Sequence, residues 1–219
     1  MSSGVHTSAS SKRSGGSNRT LLEMFAVLLL GIATVATAWC GIQSSRWNGE
    51  ETDAARTANL DRIEASRLFA LASEKVAYDA NLTAQYAAAV VDDNVRLQTF
   101  LRDNLMRPEY LPFLAEWQAK VEAGDEEVGN LFTQSAYLDA QFADSRAVTA
   151  TSDLASARAA ESSANADDYL LTTLLTATAL FFAGVTTSFG TRSARLALVS
   201  AAVAVLAVTA ARLVDLPVI

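Results

Sequence analysis

Apolar residues along this chain fall into three blocks separated by long polar stretches. The first covers residues 21–42 and is broken only by Glu23 at its edge. The second, residues 169–189, carries no charge. The third, residues 196–214, is apolar as far as Ala211, with Arg212 and Asp215 near its far end. A helix needs about 20 predominantly apolar residues to cross a hydrocarbon core, and the third block has the least to spare. Peptide groups in lipid must find their partners within the protein, and runs this long and continuous predict helices, not barrel strands. The expected fold class is all-α: an integral membrane protein with three transmembrane helices.

Residues 43–168 follow a different pattern. Leu60, Ile63, Leu68, Leu71, Tyr78, Leu82 and Tyr86 mark a narrow apolar face at helical spacing, with Ala filling much of the remainder. This predicts a helix over about 46–90, continuous with the first span and some 65 Å long outside the membrane at about 1.5 Å per residue. Asp92 or Asp93 is expected to cap the next helix, which carries Leu97, Phe100, Leu101 and Leu105. Pro108 and Pro112 predict a corner at Arg107. A short helix with Leu111, Leu114, Trp117 and Val121 on one side follows. Gly124-Asp125-Glu126-Glu127 opens a loop reaching to about Ser135, and from Tyr137 the Ala-rich chain reads as helix through Asp168 into the second span. The polar run Thr149–Asp153 lowers propensity and predicts a kink. Two long helices with short helices at their tip make an expected antiparallel stalk.

Charge sets the orientation. The 219 residues are 51% hydrophobic yet 19% charged, and the segment 43–168 holds 22 acidic against 11 basic residues. The tail over residues 1–20, rich in Ser and Gly and expected to be disordered, carries Lys12, Arg13 and Arg19 with no acid. The connector 190–195 adds Arg192 and Arg195. The positive-inside rule puts both basic segments in the cytoplasm and the acidic region, with the C-terminal end, outside. Trp39, Trp47 and Tyr169 sit at the expected outer interface. Arg212 and Asp215 can reach that surface and pair at three-residue spacing. Ala36-Thr37-Ala38 offers a signal-cleavage pattern, but the apolar run continues through Trp39 to Ile42, which favours a retained anchor. Cys40 reads as a small apolar filler, with an intermolecular disulfide as the alternative.

Two stretches carry a resemblance: Phe100-Leu101-Arg102-Asp103-Asn104-Leu105-Met106-Arg107-Pro108-Glu109-Tyr110, and Ser163-Ala164-Asn165-Ala166-Asp167-Asp168-Tyr169-Leu170-Leu171 leading into Ala179–Val185. In layout the chain resembles uncharacterised bacterial membrane proteins with one span, a long helical outer region and two closing spans. The resemblance covers most of residues 20–215. It implies architecture and a bacterial plasma membrane, and brings no activity with it.

No catalytic constellation emerges. His6 is the sole histidine and lies in the tail, which leaves no histidine triad or metal site, and no Gly-rich phosphate loop is present. Asp92/Asp93, Glu126/Glu127 and Asp167/Asp168 read as caps and solvated charge; divalent-cation ligation is the alternative. An acidic outer region is a poor match for nucleic acid. No cofactor and no enzymatic activity are expected. The threonines of the second span (Thr172, Thr173, Thr176, Thr178, Thr186 and Thr187) can return their hydroxyl hydrogens to their own helix. Gly31, Gly184, Ser200 and Ala204 offer small surfaces for helix contact. Arg107, Pro108 and Tyr110 with Trp117 form the most distinctive outer cluster, either a protein-interaction corner or the packed corner of a helical turn. The leading expectation is a non-enzymatic scaffold or accessory subunit, with the lipid bilayer and either further copies of itself or other envelope proteins as partners. The alternatives are an outer ligand sensor acting through a separate transmitter, and a small oligomeric channel.

Overall fold

A computed structural model of the chain describes residues 14–124, 130–133 and 135–219. Residues 1–13 of the expected disordered tail, with His6, lie outside the described residues, as do Asp125, Glu126 and Glu127 and the side chain of Thr187. The described residues are all-helical: α1 (Ser14–Val91), α2 (Val95–Phe100), α3 (Leu111–Glu122), α4 (Ser135–Val185) and α5 (Arg192–Asp215). The first span and the helix expected after it are thus one helix. The segment after Tyr137 and the second span are another, running uninterrupted through Thr149–Asp153. The second span ends as α-helix at Val185, with a 3-10 turn over Thr186–Ser188. Three of these helices are long and apolar enough to cross a membrane.

The chain divides into two compact units, one of Met1–Asp53 with Arg158–Ile219 and the other Ala54–Ala157. Within Ala54–Ala157, α1 buries Ala58, Ala65, Ala72 and Asp79 at seven-residue steps, with Leu82 and Ala89 beside them. Seven residues are nearly two helical turns, so the line stays on one side of the helix. The α4 segment faces it with Ser145 and Ser152, also seven apart. Ser145 Oγ donates to the Ala65 carbonyl at 3.1 Å and Ser152 Oγ to the Ala58 carbonyl at 2.9 Å. Side chains can reach a neighbouring helix's backbone only where small residues let the axes come close. The numbering of the two bonds shows that the segments run antiparallel.

This seam differs from the face that hydropathy suggested. Leu60 and Ile63 are 61% and 68% exposed, and Leu71 and Tyr78 also face outward, whereas Leu82 is buried and Leu68 and Tyr86 are half-buried. Alanine wins the interface because a close backbone approach leaves no room for leucine.

α1 ends in a Schellman arrangement: Asn94 N donates to Ala89 O at 2.9 Å and Asp93 N to Val90 O at 3.2 Å, with Asp93 at φ 51°. Asp93 therefore closes α1 and does not cap α2. The expectation of Asp92 or Asp93 as N-cap is corrected to Asn94, whose Oδ1 accepts from Leu97 N at 3.0 Å. α2 runs into a single π-helical turn, Leu101–Leu105, closed by Met106 N donating to Leu101 O. Met106 is extended ahead of the corner at Arg107–Pro108. In α3, Leu114 is buried and Leu111 and Trp117 are half-buried, but Val121 is exposed. Gly124, at φ 73°, ends that helix in a conformation that favours glycine.

In the span-bearing unit the sizes are reversed. Small and polar residues are inside: Ala33, Cys40, Gln43, Thr172, Thr176, Ala179 and Ala202 are fully buried. Large apolar residues such as Val27, Leu28, Ile32, Val35, Leu170, Leu174, Phe181 and Val208 face out. Of the residues expected at helix contacts, Gly184 lies against Leu30 of α1, whereas Gly31, Ser200 and Ala204 are exposed; Ala33, Ala179, Ala183 and Ala202 are buried there as well. The hydroxyls of Thr172, Thr173, Thr176, Thr178 and Thr186 bond to carbonyls three or four residues earlier on their own helix. Arg212 and Asp215, both exposed, form no ion pair with each other among the described residues.

Polar ties join the segments of this unit. The Thr37 and Thr176 hydroxyls share a hydrogen bond at 2.9 Å, and Ser44 Oγ donates to the Ala166 carbonyl at 3.1 Å. Arg195, almost fully buried, donates to Glu23 Oε1 at 2.9 Å and to the Phe189 carbonyl at 2.6 Å. Elsewhere in the unit, Trp47 Nε1 and Tyr169 Oη both donate to the Pro217 carbonyl at 3.1 Å, and Gln43 exchanges two bonds with the backbone of Ile219 at 3.2 Å.

Candidate functional site

The most unusual chemistry in Ala54–Ala157 centres on Asp79. It occupies a position in the buried seven-residue series where α1 otherwise places alanine, and it is 0% exposed. An unpaired carboxylate in such a place would be strongly disfavoured. Here it is saturated: Arg107 Nε donates to Oδ1 at 3.0 Å, Arg107 Nη2 to Oδ2 at 2.5 Å, and Tyr137 Oη to Oδ2 at 2.8 Å. Arg107 Nη2 also reaches Gln141 Oε1 at 3.1 Å, which fixes the guanidinium plane against α4. The bidentate arrangement matches the fork of arginine to the carboxylate. The hydrogen bond to Asp79 pushes the Arg107 guanidinium further up from its ordinary value.

Aromatic rings close the surroundings. Tyr137 meets Tyr110, Phe113 and Phe132 edge-on at ring-centre distances of 5.7, 5.5 and 5.6 Å, and Tyr110 stacks on Phe132 at 6.1 Å. Offset and edge-on contacts are the favoured geometries for such rings. Leu82, Leu101, Met106, Leu114 and Leu131 complete the core. The Tyr110 hydroxyl lies 2.5 Å from Thr83 Oγ1. Burial pushes the Tyr110 phenol up to about 12, and burial followed by its bond to Asp79 pushes Tyr137 up as well.

Of the four residues expected at the corner, Tyr110 is fully buried and Arg107 is turned inward onto Asp79, whereas Pro108 is exposed and Trp117 half-buried. Arg107 and Tyr110 are therefore brought together in the packed interior, and only Pro108 lies openly at the surface. Asp79, Tyr137 and Gln141 complete the arrangement and were not singled out from the sequence. The available signal was positional: the series Ala58, Ala65, Ala72 continues with an acid. Among the described residues no group of acidic, Cys or His side chains is arranged to hold a metal ion.

A second feature lies on the α1–α4 seam of the same unit. The small buried residues Ala65, Ser145 and Ser152 form the floor of a wide-mouthed surface cavity of about 290 Å³. Arg62 and Asp153 also line it, with Phe69, whose ring leans on Phe142 at 5.1 Å. The hydroxyl hydrogens of Ser66, Ser145, Thr149 and Ser152 all go to backbone carbonyls, which leaves their oxygens able only to accept. In comparisons with known proteins, no family model, no curated protein and no solved structure matches this chain.

Proposed function

We propose that this chain is a multi-pass protein of a bacterial plasma membrane, with its basic segments in the cytoplasm and its acidic helical region outside as an antiparallel, coiled-coil-like stalk. In this reading it acts as a non-enzymatic scaffold or accessory subunit. Its helical region makes protein contacts, either with further copies of itself or with other envelope proteins. The observation that carries the reading is the outward line of Leu60, Ile63, Leu71 and Tyr78 on α1, left over once alanine has taken the helix–helix seam. Large apolar side chains in line along a helix stabilise an assembly when covered, each by roughly 1.5–3 kcal/mol for full burial. The basic connector with Arg192 and Arg195 supports the orientation.

The test is crosslinking in native membranes with Ile63→Cys in a Cys40→Ser background. Discrete higher-mass species, lost when Leu60 and Leu71 are changed to Ser, are expected. A chain that stays solitary would end the scaffold reading. Labelling of a cysteine at Glu109 from the outside tests the orientation; reaction only after the membrane is opened would reverse it. One observation favours the second reading, an extracytoplasmic ligand sensor: the cavity flanked by Arg62 and Asp153.

A further inference from the structure

We infer that the cavity on the α1–α4 seam of Ala54–Ala157 is a binding site for a small zwitterion of the α-amino-acid class. Arg62 receives its carboxylate and Asp153 its ammonium group. The inference does not depend on the scaffold reading and stands or falls on its own measurements.

Four observations converge. Arg62 and Asp153 are opposite charges lining one cavity, yet neither forms an ion pair or side-chain hydrogen bond among the described residues. A ligand carrying both charges satisfies the two at once. A simple anion leaves Asp153 unanswered in an already acidic region, and a simple cation leaves Arg62 unanswered. Next, the serine and threonine oxygens beside Asp153 have committed their hydrogens to backbone carbonyls, so they can only accept. That suits an ammonium group, which has three hydrogens to give. Phe69, braced by Phe142, supplies an apolar wall for a small side chain. Finally, about 290 Å³ lies at the lower edge of ligand-pocket sizes, which fits a compact metabolite and not a drug-sized molecule.

The test uses the full-length chain in mild detergent, with thermal unfolding followed as each common L-α-amino acid is added at millimolar concentration. At least one is expected to raise the midpoint by a few degrees in a saturable way. Its N-acetyl and carboxamide derivatives, each lacking one charge, should lose the effect. Arg62→Gln and Asp153→Asn change exposed side chains, and each should weaken binding by roughly tenfold or more, as loss of a charge-assisted hydrogen bond does. Their unliganded midpoints should match the parent, and the derivative series on the parent chain decides the matter if they do not. The inference is overturned if no amino acid gives a saturable shift. It is overturned equally if the shift persists in both variants, or if acetate or methylammonium alone reproduces it.

Discussion

The two units of this protein share the same two long helices, with α5 added in one, yet their interiors hold different side chains. In Ala54–Ala157 one end holds a core of large side chains, Leu82, Leu101, Tyr110 and Leu114 around Tyr137, with a buried charge answered by Arg107, while Leu60, Ile63 and Leu71 stay outside along α1. In the span-bearing unit many large apolar side chains turn outward, and the interior is mostly Ala, Thr, Gln43 and Cys40, with Tyr169 and a small cluster of Leu29 and Val199. Where lipid surrounds a helix, leucine gains nothing by hiding, so close packing and hydrogen bonds decide what lies inside. Where water surrounds it, removal of apolar area from solvent dominates. What the units share is the use of small residues where helices touch, with serine hydroxyls bonded to the neighbouring backbone in each.

The largest test of that contrast removes the buried charge. Asp79→Asn leaves the Arg107 guanidinium without its counter-charge and should cost roughly 3–5 kcal/mol. Near-ultraviolet circular dichroism of the full chain in detergent, which reports the clustered tyrosines, should lose its cooperative transition at much lower temperature. Replacing Asp79 and Arg107 together by Leu should recover most of the loss, since an apolar pair has no charge to desolvate. A double variant as unstable as the single one would show that Asp79 does more than answer Arg107.

Truncation of large side chains separates the units next. Leu114→Ala should cost about 2–5 kcal/mol because it opens a cavity in a closed core. Leu174→Ala, on an outward face of a span, should change unfolding by no more than about 0.5 kcal/mol, because lipid or detergent fills the space. Equal losses at the two sites would mean that Leu174 is covered by protein.

Alkaline pH should act on the aromatic core of Ala54–Ala157. The Tyr110 phenol is raised from its ordinary value of 10.0 to about 12, so the folded state favours the neutral form. The unfolded chain then releases its proton first, and the folded state binds more protons over that window. Stability should hold below about pH 10 and fall as pH rises toward 12, by roughly 2–3 kcal/mol in all. Tyrosinate absorbance rising together with unfolding is the expected signature. Ionisation of all five tyrosines near pH 10 without loss of structure would contradict it.

The smallest effect belongs to the spans. Thr176→Val removes the bond to Thr37 and should weaken helix association by only about 0.6 kcal/mol, the scale typical of such bonds in lipid.

The sequence made the three spans and the corner at Arg107–Pro108 legible, because lipid length and proline geometry are strong local rules. The α1–α4 seam was harder to read. Leu60 and Ile63 outweigh alanine on any scale of apolarity, but closeness of helix axes is a property of two segments, not of one, and Ala58, Ala65 and Ala72 become meaningful only opposite Ser145 and Ser152. Asp79 was missed for a related reason. An acid in an acidic stretch reads as solvated, and its partners Arg107 and Tyr137 stand 28 and 58 residues away. The N-cap at Asn94 was displaced by one residue because Asp93 is used to end the preceding helix.

The serine bonds across the seam also act as a ruler. Ser145 and Ser152 find the carbonyls of Ala65 and Ala58 at matching seven-residue intervals. If α4 slid along α1 by a single turn, Ser145 would face the turn of Arg62 or Phe69 in place of Ala65, where larger side chains hold the backbones apart. The next register that the alanine series allows, Ser145 at Ala72 and Ser152 at Ala65, lies seven residues or about 10 Å away. Such a pair resists the gradual piston displacement by which helices can relay a stimulus. Relative motion of these two segments is therefore easier as rotation or splaying than as a shift along their length.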